Sequence, residues 1–381
     1  MLNVLLVVAL VVVTIWLIVR LFFRAADHSA FARGGLFRTH GDGKPSPEIA
    51  EIHRRIDAMA KEMQAIPLRE QTAALRRMMD EGMLGAPISA NELGVETLKT
   101  DAGGVPAEWV MAPGADGDRR LLYIHGGGFY AGSAVSARML TAKLSALAGV
   151  AVLAIDYRLM PENRRMDSVT DCQRAYRWII ENGPDGPGEA HQLFVAGDSA
   201  GGSLALMLSA WARDEDLRRM DGVIAFSPST DSTLEGKSFR DNIDTDPLLG
   251  PSLRSFARMP PTMKALVALT LGRINPRNPL VSPLFGELHD LPPTLIQASD
   301  CEMLIDDAKR YVNKAVEQGS PVELQTWPGM VHVFQMFWHV LPEANEALKN
   351  AAKFIKTVTK AGQRRVDKTA EDSARKQRAI V

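Results

Sequence analysis

Residues 193–203 read LFVAGDSAGGS, and this stretch decides the fold class of the chain. An apolar, strand-like run leads into GDSAG at 197–201, a G-x-S-x-G sequence, and a helix-forming segment follows it. In this pattern the serine lies on a sharp turn between a strand and a helix, and its neighbours must be small to let the backbone pass. The turn lifts the hydroxyl above a sheet, at a helix N-terminus that favours developing negative charge. The stretch therefore predicts that Ser199 is a nucleophile.

A second glycine-rich stretch, HGGGF at 125–129, ends a strand predicted over Leu121–His125. Successive glycines let backbone N–H groups approach a ligand without obstruction by Cβ atoms. Such groups stabilise the negative charge that acyl transfer develops on a carbonyl oxygen. The pattern predicts an oxyanion hole made by three backbone N–H groups, those of Gly127, Gly128 and Ala200. Gly126 is expected to serve the turn, and His125 is expected to support the loop rather than act as a base.

The serine hydroxyl is a weak nucleophile and needs an imidazole base. Three histidines follow it in the chain, and in this architecture the order is serine, acid, histidine. His332 follows a strand predicted over Val322–Trp327, in a loop at the edge where such sheets bind ligands. His289 precedes a strand, and His339 lies in a predicted helix. We therefore predict that His332 is the base.

The acid that orients the imidazole is expected to follow the strand Thr294–Ala298, within SDCEMLIDDA at 299–308. Asp306 and Asp307 are predicted to lie on the next helix, where solvent exposure or the helix N-terminus explains a carboxylate. The residues alone do not separate Asp300 from Glu302 as the acid.

The composition of the 381-residue chain excludes several classes of protein. Lys and Arg number 44 against 45 Asp and Glu, so the net charge of −1 offers no basic excess to attract nucleic acid. Hydrophobic residues make up 46% and charged residues 23%, which excludes a disordered chain and a polytopic membrane protein. The two cysteines, Cys172 and Cys301, cannot build a disulfide framework and match no zinc spacing.

Strand and helix patterns alternate along the body of the chain, which predicts a mostly parallel sheet with helices on both faces. The other predicted strands lie at 93–99, 107–112, 150–156, 193–197 and 223–226. Two helices broken near Pro67 are predicted between 47 and 83. The stretch 234–271 interrupts the alternation as a helical insertion.

Residues 1–23 read MLNVLLVVALVVVTIWLIVRLFF and carry no charge before Arg20. A helix over the first 19 residues would span roughly 28 Å, close to the ~30 Å hydrocarbon core, which predicts a transmembrane anchor. The alternative is a cleaved signal peptide, which would leave the body secreted or periplasmic, but such a peptide opens with a basic residue and has a shorter apolar run. Basic residues after the apolar run predict that the body lies on the cytoplasmic side. Residues 24–46 are predicted to be a tether, 47–360 the main domain and 361–381 a polar tail.

Together these motifs resemble the hormone-sensitive lipase family of α/β-hydrolases, in its bacterial esterase branch. The matching sequences are HGGGF at 125–129, DYRLMPE at 156–162, GDSAGG at 197–202, SPSTD at 227–231 and WPGMVHVF at 327–334. The resemblance covers roughly residues 48–360. It implies an eight-stranded α/β-hydrolase sheet with a helical cap built from about 47–90 and 234–271.

The resemblance also assigns roles that the residues alone leave open. The family's acid usually stands in an Asp-Pro-Leu-x-Asp pattern, which aligns with residues 302–306 here. This implies that Glu302 is the acid, with Glu in place of Asp and Met in place of Pro, and leaves Asp300 and Asp306 as alternatives. Asp156 and Arg158 are implied to brace the oxyanion loop. An apolar segment ahead of a hydrolase body is similar to the arrangement in arylacetamide deacetylase.

The expected function is that of a serine carboxylic ester hydrolase that acts through an acyl-enzyme on short- to medium-chain esters, without a metal or organic cofactor. The expected partners are a small-molecule ester and the membrane, but not nucleic acid; the oligomeric state is left open. A lactonase, deacetylase or amidase would use the same machinery, whereas a non-enzymatic receptor would be expected to lose Ser199 or His332. Five apolar residues of the insertion either line an acyl pocket or pack the cap on the core: Met259, Met263, Leu266, Val267 and Leu271.

Overall fold

The computed structural model describes residues 2–18, 28–32, 34–35, 37–41, 43–82 and 90–359. The strands are β1 (Arg38–Thr39), β2 (Glu96–Asp101), β3 (Pro106–Met111), β4 (Asp116–Ile124), β5 (Val150–Ile155), β6 (Asn182–Gly183), β7 (Gly186–Pro187), β8 (Gln192–Asp198), β9 (Gly222–Phe226), β10 (Thr294–Ser299) and β11 (Val322–Trp327). The helices are α1 (Leu2–Ile18), α2 (Ile49–Ala65), α3 (Leu68–Asp80), α4 (Arg138–Ala148), α5 (Arg165–Glu181), α6 (Ala200–Asp214), α7 (Ser238–Asp241), α8 (Gly250–Ala257), α9 (Pro261–Gly272), α10 (Ile305–Glu317) and α11 (342–359). Short 3-10 turns cover Ser29–Ala32, Pro283–Phe285 and Phe334–Phe337.

Nine strands form one sheet in the order β1-β11-β10-β9-β8-β4-β5-β3-β2. All neighbours pair in parallel except β5 with β3 and β3 with β2. The sheet is therefore mostly parallel, as predicted, but it has one strand more than the predicted eight. The additional strand is β1, which lies within the segment 24–46 and pairs Arg38 with Gln325 and Thr39 with Thr326. A two-residue strand has no periodicity that a sequence pattern can reveal.

The sheet is covered on both faces, which explains why its central strands are apolar runs rather than alternating ones. Strands β5, β8, β9 and β10 are buried along their whole length. Helices α5, α6 and α10 pack on one face, and α4 and α11 pack on the other. This layering leaves the carboxyl ends of the parallel strands as one edge on which loops can carry polar side chains.

Two helical segments lie outside these three layers. In the first, α2 and α3 are separated at Pro67, and α2 buries Ile52 and Ile56 against Trp327 and Phe334. The second is the insertion after β9, which contains α7, α8 and α9. Its side chains of Met263, Leu266 and Leu271 are 51%, 40% and 56% exposed. That the two segments form a cap stays a prediction.

The structure contradicts the predicted transmembrane anchor over residues 1–23. Helix α1 covers 17 residues, Leu2–Ile18, whereas about 20 apolar residues are needed to cross the hydrocarbon core. Within the described residues, no helix combines the length and the apolar character that a membrane span requires. The membrane partner, the membrane localisation, the inferred side of the membrane and the anchored arrangement are therefore not supported. The predicted tail at 361–381 lies outside the described residues.

Candidate active site

Ser199 lies on the turn between β8 and α6, as the glycine pattern predicts. It adopts φ 51° and ψ −116°, a region that non-glycine residues rarely enter. Its N–H donates to the Phe226 carbonyl oxygen of β9 at 2.8 Å, which fixes the turn beside the sheet. A Cβ atom at Gly201 would collide with the backbone of β4 at Ile124. The turn therefore requires glycine here, because α6 starts in direct contact with β4.

His332 lies between Ser199 and Glu302 in one line of hydrogen bonds. Its Nε2 is 2.9 Å from the Ser199 Oγ, and its Nδ1 is 3.1 Å from a Glu302 carboxylate oxygen. The His332 and Glu302 side chains are 3% and 0% exposed. The three residues follow β8, β10 and β11, so the sheet brings together groups that are up to 133 positions apart.

Burial by itself shifts the pKa values of Glu302 and His332 in opposite directions. Burial raises the pKa of the Glu302 carboxyl, and the hydrogen bond from His332 only partly offsets this effect. Burial by itself would lower the pKa of His332, but the hydrogen bond and charge of Glu302, with the charges of Asp246 and Asp198, outweigh it. The pKa of His332 therefore lies above its usual value of 6.5. An imidazole in this setting accepts a proton readily.

The other carboxylates that follow β10, one in the loop and two on the first turn of α10, have different partners. Asp300 accepts a hydrogen bond from the Gly329 N–H at 2.9 Å, Asp306 accepts one from the Ser238 N–H at 2.9 Å, and Asp307 pairs with Arg310 at 2.7 Å. Of the acid candidates that the sequence leaves open, Glu302 is the one that the structure brings to the His332 ring.

The three predicted oxyanion donors lie on the two glycine-rich turns. Gly127 and Gly128 adopt φ values of 105° and 64°. Ala200 is the first residue of α6, so its N–H group has no partner within the helix. Among the described residues, the N–H groups of Gly127 and Gly128 have no acceptor. All three groups therefore remain available to a ligand.

The predicted supporting residues divide between two tasks. His125 donates from Nδ1 to the Gly126 carbonyl oxygen at 2.7 Å and stacks on Tyr157 with 4.3 Å between ring centroids. Burial lowers the pKa of His125 to about 4, so its ring is neutral at neutral pH and supports the loop. Asp156 accepts from the Ala134 N–H at 2.7 Å, just beyond the oxyanion loop. Arg158 instead forms a bidentate pair with Asp171 of α5, and within the described part of the chain no hydrogen bond or ion pair joins it to that loop.

Asp198 is a supporting residue that the sequence reasoning missed. Its buried carboxylate accepts hydrogen bonds from the Tyr123 hydroxyl at 2.7 Å and from the Gly126 N–H at 3.1 Å. Burial raises the pKa of this carboxyl. Because Asp198 directly precedes Ser199, it links the nucleophile turn to the oxyanion loop. The acidic residue inside GDSAG was the available signal.

Arg76 of α3 was also missed. Its guanidinium donates to the carbonyl oxygens of Tyr130 and Met160 at 2.8 and 2.9 Å and pairs with Glu162 at 2.8 Å. It thereby fastens the N-terminal helices to the end of the oxyanion loop. A lone arginine in an amphipathic helix carries no sequence signal for such a contact.

The described residues hold no group of three or more His, Cys, Asp or Glu side chains that could bind a metal ion. The chemistry available at this site is that of a hydroxyl, an imidazole, a carboxylate and backbone N–H groups. These groups suit nucleophilic attack on a carbonyl carbon.

Comparisons with known proteins agree with this chemistry. A profile of the alpha/beta hydrolase fold family matches residues 121–336. The chain is 37% identical to an acetyl-hydrolase of Streptomyces hygroscopicus over 257 residues, which are 67% of this chain and 81% of that protein. It is 32% identical to the carboxylesterase/phospholipase LipF of Mycobacterium tuberculosis over 329 residues, which are 84% of this chain and 86% of that protein.

A solved structure agrees as well. The crystal structure of an esterase from the bacterial hormone-sensitive lipase family superposes with a TM-score of 0.70 at 34% identity, and the match covers 82% of this chain and 99% of that one. The predicted family is confirmed. The chain belongs to the bacterial esterase branch of the hormone-sensitive lipase family of α/β-hydrolases.

Proposed function

We propose that the protein hydrolyses carboxylic esters through an acyl-enzyme formed on Ser199, with His332 as the base and Glu302 as the acid. The observation that carries the proposal is the line of hydrogen bonds, 2.9 Å from the serine hydroxyl to the imidazole and 3.1 Å from the imidazole to the carboxylate. Both distances are in the range for proton transfer and for orientation of the ring. The positive φ of Ser199 supports the same assignment.

The reaction follows from these positions. His332 Nε2 takes the hydroxyl proton while the Ser199 Oγ attacks the ester carbonyl carbon. The N–H groups of Gly127, Gly128 and Ala200 stabilise the oxyanion, and a donor of this kind lowers the barrier by on the order of 3 kcal/mol. The tetrahedral intermediate collapses, and the alcohol leaves with the proton from His332. His332 then deprotonates a water molecule, which attacks the acyl carbon. The bond from the acyl carbon to the Ser199 Oγ breaks, His332 returns the proton to Oγ, and the acid product leaves.

Glu302 acts on the imidazole and does not touch the substrate in this proposal. Its hydrogen bond to Nδ1 fixes the tautomer in which Nε2 is free to accept the serine proton. The imidazolium that forms is stabilised by the neighbouring carboxylate, which is buried. Asp198 and His125 hold the oxyanion loop in place and move no proton.

The proposed substrates are esters of short- to medium-chain acyl groups. The acetyl-hydrolase relative supports short acyl groups, and the carboxylesterase/phospholipase relative supports carboxylic esters that include those of phospholipids. A series of p-nitrophenyl esters from acetate to dodecanoate measures the preferred chain length, and the matching anilide and a lactone measure the preference for esters over other acyl donors. The highest kcat/KM on the anilide or the lactone would contradict the ester assignment.

The central test replaces the nucleophile. Ser199→Ala should reduce the hydrolysis of p-nitrophenyl butyrate to the uncatalysed rate and abolish labelling by a fluorophosphonate probe, because neither reaction has another nucleophile. The melting temperature should stay within a few degrees of the wild type or rise, since alanine removes a hydroxyl and no packing. Ser203→Ala, which removes a buried hydroxyl one helical turn away, is the matched control and should retain both reactions. Continued turnover by the Ser199 variant would refute the proposal.

A further inference from the structure

The insertion after β9 reaches the loop that carries Glu302. Residues 238–246, which contain α7 and the turn after it, lie along residues 300–306. We call the first stretch the clamp segment and the second the acid loop. The sequence shows the clamp segment only as part of a helical insertion, and the activity proposed above makes no use of it.

Side chains of the clamp segment satisfy consecutive backbone groups of the acid loop. Asn242 donates to the carbonyl oxygens of Asp300 and Glu302 at 3.2 and 2.9 Å, Thr245 to that of Cys301 at 3.0 Å, and Ser238 to that of Met303 at 2.8 Å. Four carbonyl groups in a row are thus held by side chains from one segment. Residues 300–304 of the acid loop lie in turns and a bend, before α10 begins, so these contacts take the place of the backbone pairing that would otherwise fix the shape of the loop.

Asp246 completes this set from a buried position. One carboxylate oxygen accepts from the Met303 N–H at 2.9 Å, and the other accepts from the N–H groups of Leu248 and Leu249 at 3.1 and 2.9 Å. The side chain is 1% exposed. Among the described residues Asp246 has three backbone donors and no cation partner. Such a carboxylate holds its contacts tightly, because the loss of a donor leaves a buried charge unsatisfied.

Apolar packing and the loop of the base stabilise the same arrangement. Phe239 and Ile243 of the clamp segment pack with Met303 and Leu304. On its other side the acid loop is joined to the loop of His332, because the Asp300 carboxylate accepts from the Gly329 N–H. The carboxylate that meets His332 therefore lies in a loop held from both sides.

From these contacts we propose that the clamp segment positions Glu302 against His332, with Asn242 and Asp246 as its positioning residues. The proposal rests on the function proposed above, since it assigns the insertion a task in that same site. Neither residue touches the substrate or the reacting atoms. Each acts through the acid loop.

The charge of Asp246 gives this residue an effect on pKa values that distinguishes it from Asn242. After burial and the contact with His332, the charge of Asp246 is a further cause that raises the pKa of Glu302. For His332, burial lowers the pKa and Glu302 raises it, and the charges of Asp246 and Asp198 add to the rise. Within the part of the chain that the structure describes, Glu302, Asp246 and Asp198 are the charged groups that act on the pKa of the imidazole. Removal of the Asp246 charge should therefore lower the pKa of His332, whereas removal of Asn242 should not.

The experiment is a double-mutant cycle on the full chain. Asn242→Ala and Asp246→Asn are each made with Glu302 present and in a Glu302→Ala background, and the second-order rate constant for fluorophosphonate labelling of Ser199 is measured. With Glu302 present, each variant should lower this constant about tenfold or more, because small displacements of catalytic groups are costly. With Glu302→Ala, the further loss should be less than about twofold, because no carboxylate is left to position.

The pH profile separates the two residues. Asp246→Asn should move the acid limb of the labelling rate to lower pH, and Asn242→Ala should lower the plateau while the midpoint stays where it is. A merely structural role predicts equal losses with and without Glu302, and that result would overturn the proposal. If Asp246→Asn does not fold, Asn242→Ala decides by the same comparison. Asn242 is half-buried, and water can replace its side chain at the exposed carbonyl group of Asp300.

Asp244→Asn is the matched control. Its carboxylate lies in the same segment but is 77% exposed and pairs with Arg254, so labelling should remain at the wild-type rate. Wild-type labelling that is absent, or that persists in Ser199→Ala, would refute the proposed function itself. Normal wild-type labelling with unaffected clamp variants would refute only the positioning role.

Discussion

Ser199 adopts a conformation that costs on the order of 1–3 kcal/mol for a residue with a side chain. Neighbouring contacts hold the Ser199 backbone in this conformation. Its N–H donates a hydrogen bond to β9, and the start of α6 that follows is in van der Waals contact with β4. The strain is therefore stored in a rigid part of the sheet. This is the arrangement expected where a side chain must be presented above the strands rather than packed among them.

The pKa of His332 leads to a prediction about pH. Ester hydrolysis needs the neutral imidazole, and the pKa of His332 lies above 6.5, so kcat/KM should rise with pH with a midpoint above that value. Glu302→Gln removes the charge that most raises this pKa while burial, which lowers it, remains. The midpoint should then move to lower pH, and the plateau should fall by on the order of a hundredfold or more. The measurement is kcat/KM for p-nitrophenyl acetate between pH 5 and 9, corrected for spontaneous hydrolysis.

Asp300→Asn is the control for that prediction. Asp300 lies two residues from Glu302, but its oxygen bonds the Gly329 N–H, and an asparagine oxygen can accept the same bond. The midpoint should change little and the plateau by less than about tenfold. A larger loss in Asp300→Asn than in Glu302→Gln would identify Asp300 as the acid.

At the scale of elements, the site depends on β4 and β8 lying side by side. Ile124 pairs with Gly197, so the strands end together and their glycine-rich loops meet. The connection between these strands passes through β5 and α5, and the neighbours in the sheet are not neighbours in the chain. Chain order changes direction at this point of the sheet, where ligand sites of α/β proteins usually lie.

The start of α6 leads to a prediction about glycine. Glycine to alanine in a helix normally stabilises by up to about 1 kcal/mol. Gly201→Ala should instead destabilise by several kcal/mol, on the order of an overpacked core substitution or more, because its Cβ would overlap the Ile124 carbonyl group. Urea unfolding followed by circular dichroism measures the difference.

Gly202→Ala is the matched variant for this comparison. Its Cβ would lie 3.1 Å from the Pro228 side chain and 3.2 Å from the Gly197 carbonyl oxygen, contacts that small shifts can relieve. It should therefore destabilise less than Gly201→Ala. Equal stability of the two variants would show that α6 does not start in contact with β4.

At the scale of the whole molecule, a buried ion network joins the loop after β9 to helix α10. Arg310 contacts Asp231 at 3.0 Å and Asp307 at 2.7 Å, and the Asp307 carboxylate also accepts from the N–H groups of Thr230 and Asp231. Burial raises the pKa of Asp307, the Asp231 charge adds to the rise, and Arg310 opposes both. The network links two crossover connections of the sheet, so its effect is on the stability of the entire domain.

Removal of the cation should therefore be costly. Arg310→Met leaves two buried carboxylates without their cation and should destabilise the fold by about 3–5 kcal/mol at neutral pH. The loss should shrink as the pH falls and the carboxylates become protonated. Arg219→Met, which breaks an exposed pair with Asp290, should cost less than about 1 kcal/mol. Comparable losses in the two variants, measured by urea unfolding at pH 7 and pH 5, would contradict this account.

Local sequence determined most of the elements, the family and most of the candidate site residues, but not β1. Ser199 and His332 could be predicted individually because each lies in a turn or loop after a predicted strand. The glycines next to Ser199 could be interpreted one by one, since each is needed for a local steric reason. The membrane anchor was wrong, since the apolar run is longer than the helix that the structure describes, Leu2–Ile18. Chain order alone also left Asp300 and Glu302 equivalent.

Only the tertiary structure decided which side chains meet. Glu302 faces His332 while Asp300 turns to Gly329, and that choice depends on how the acid loop is held, not on its residue types. Asp198, Arg76 and Asp246 gained their roles in the same way, through contacts between segments far apart in the chain. The physical reason is that periodicity and turn chemistry are local, whereas the direction of a side chain in an irregular loop depends on hydrogen bonds supplied from elsewhere in the fold.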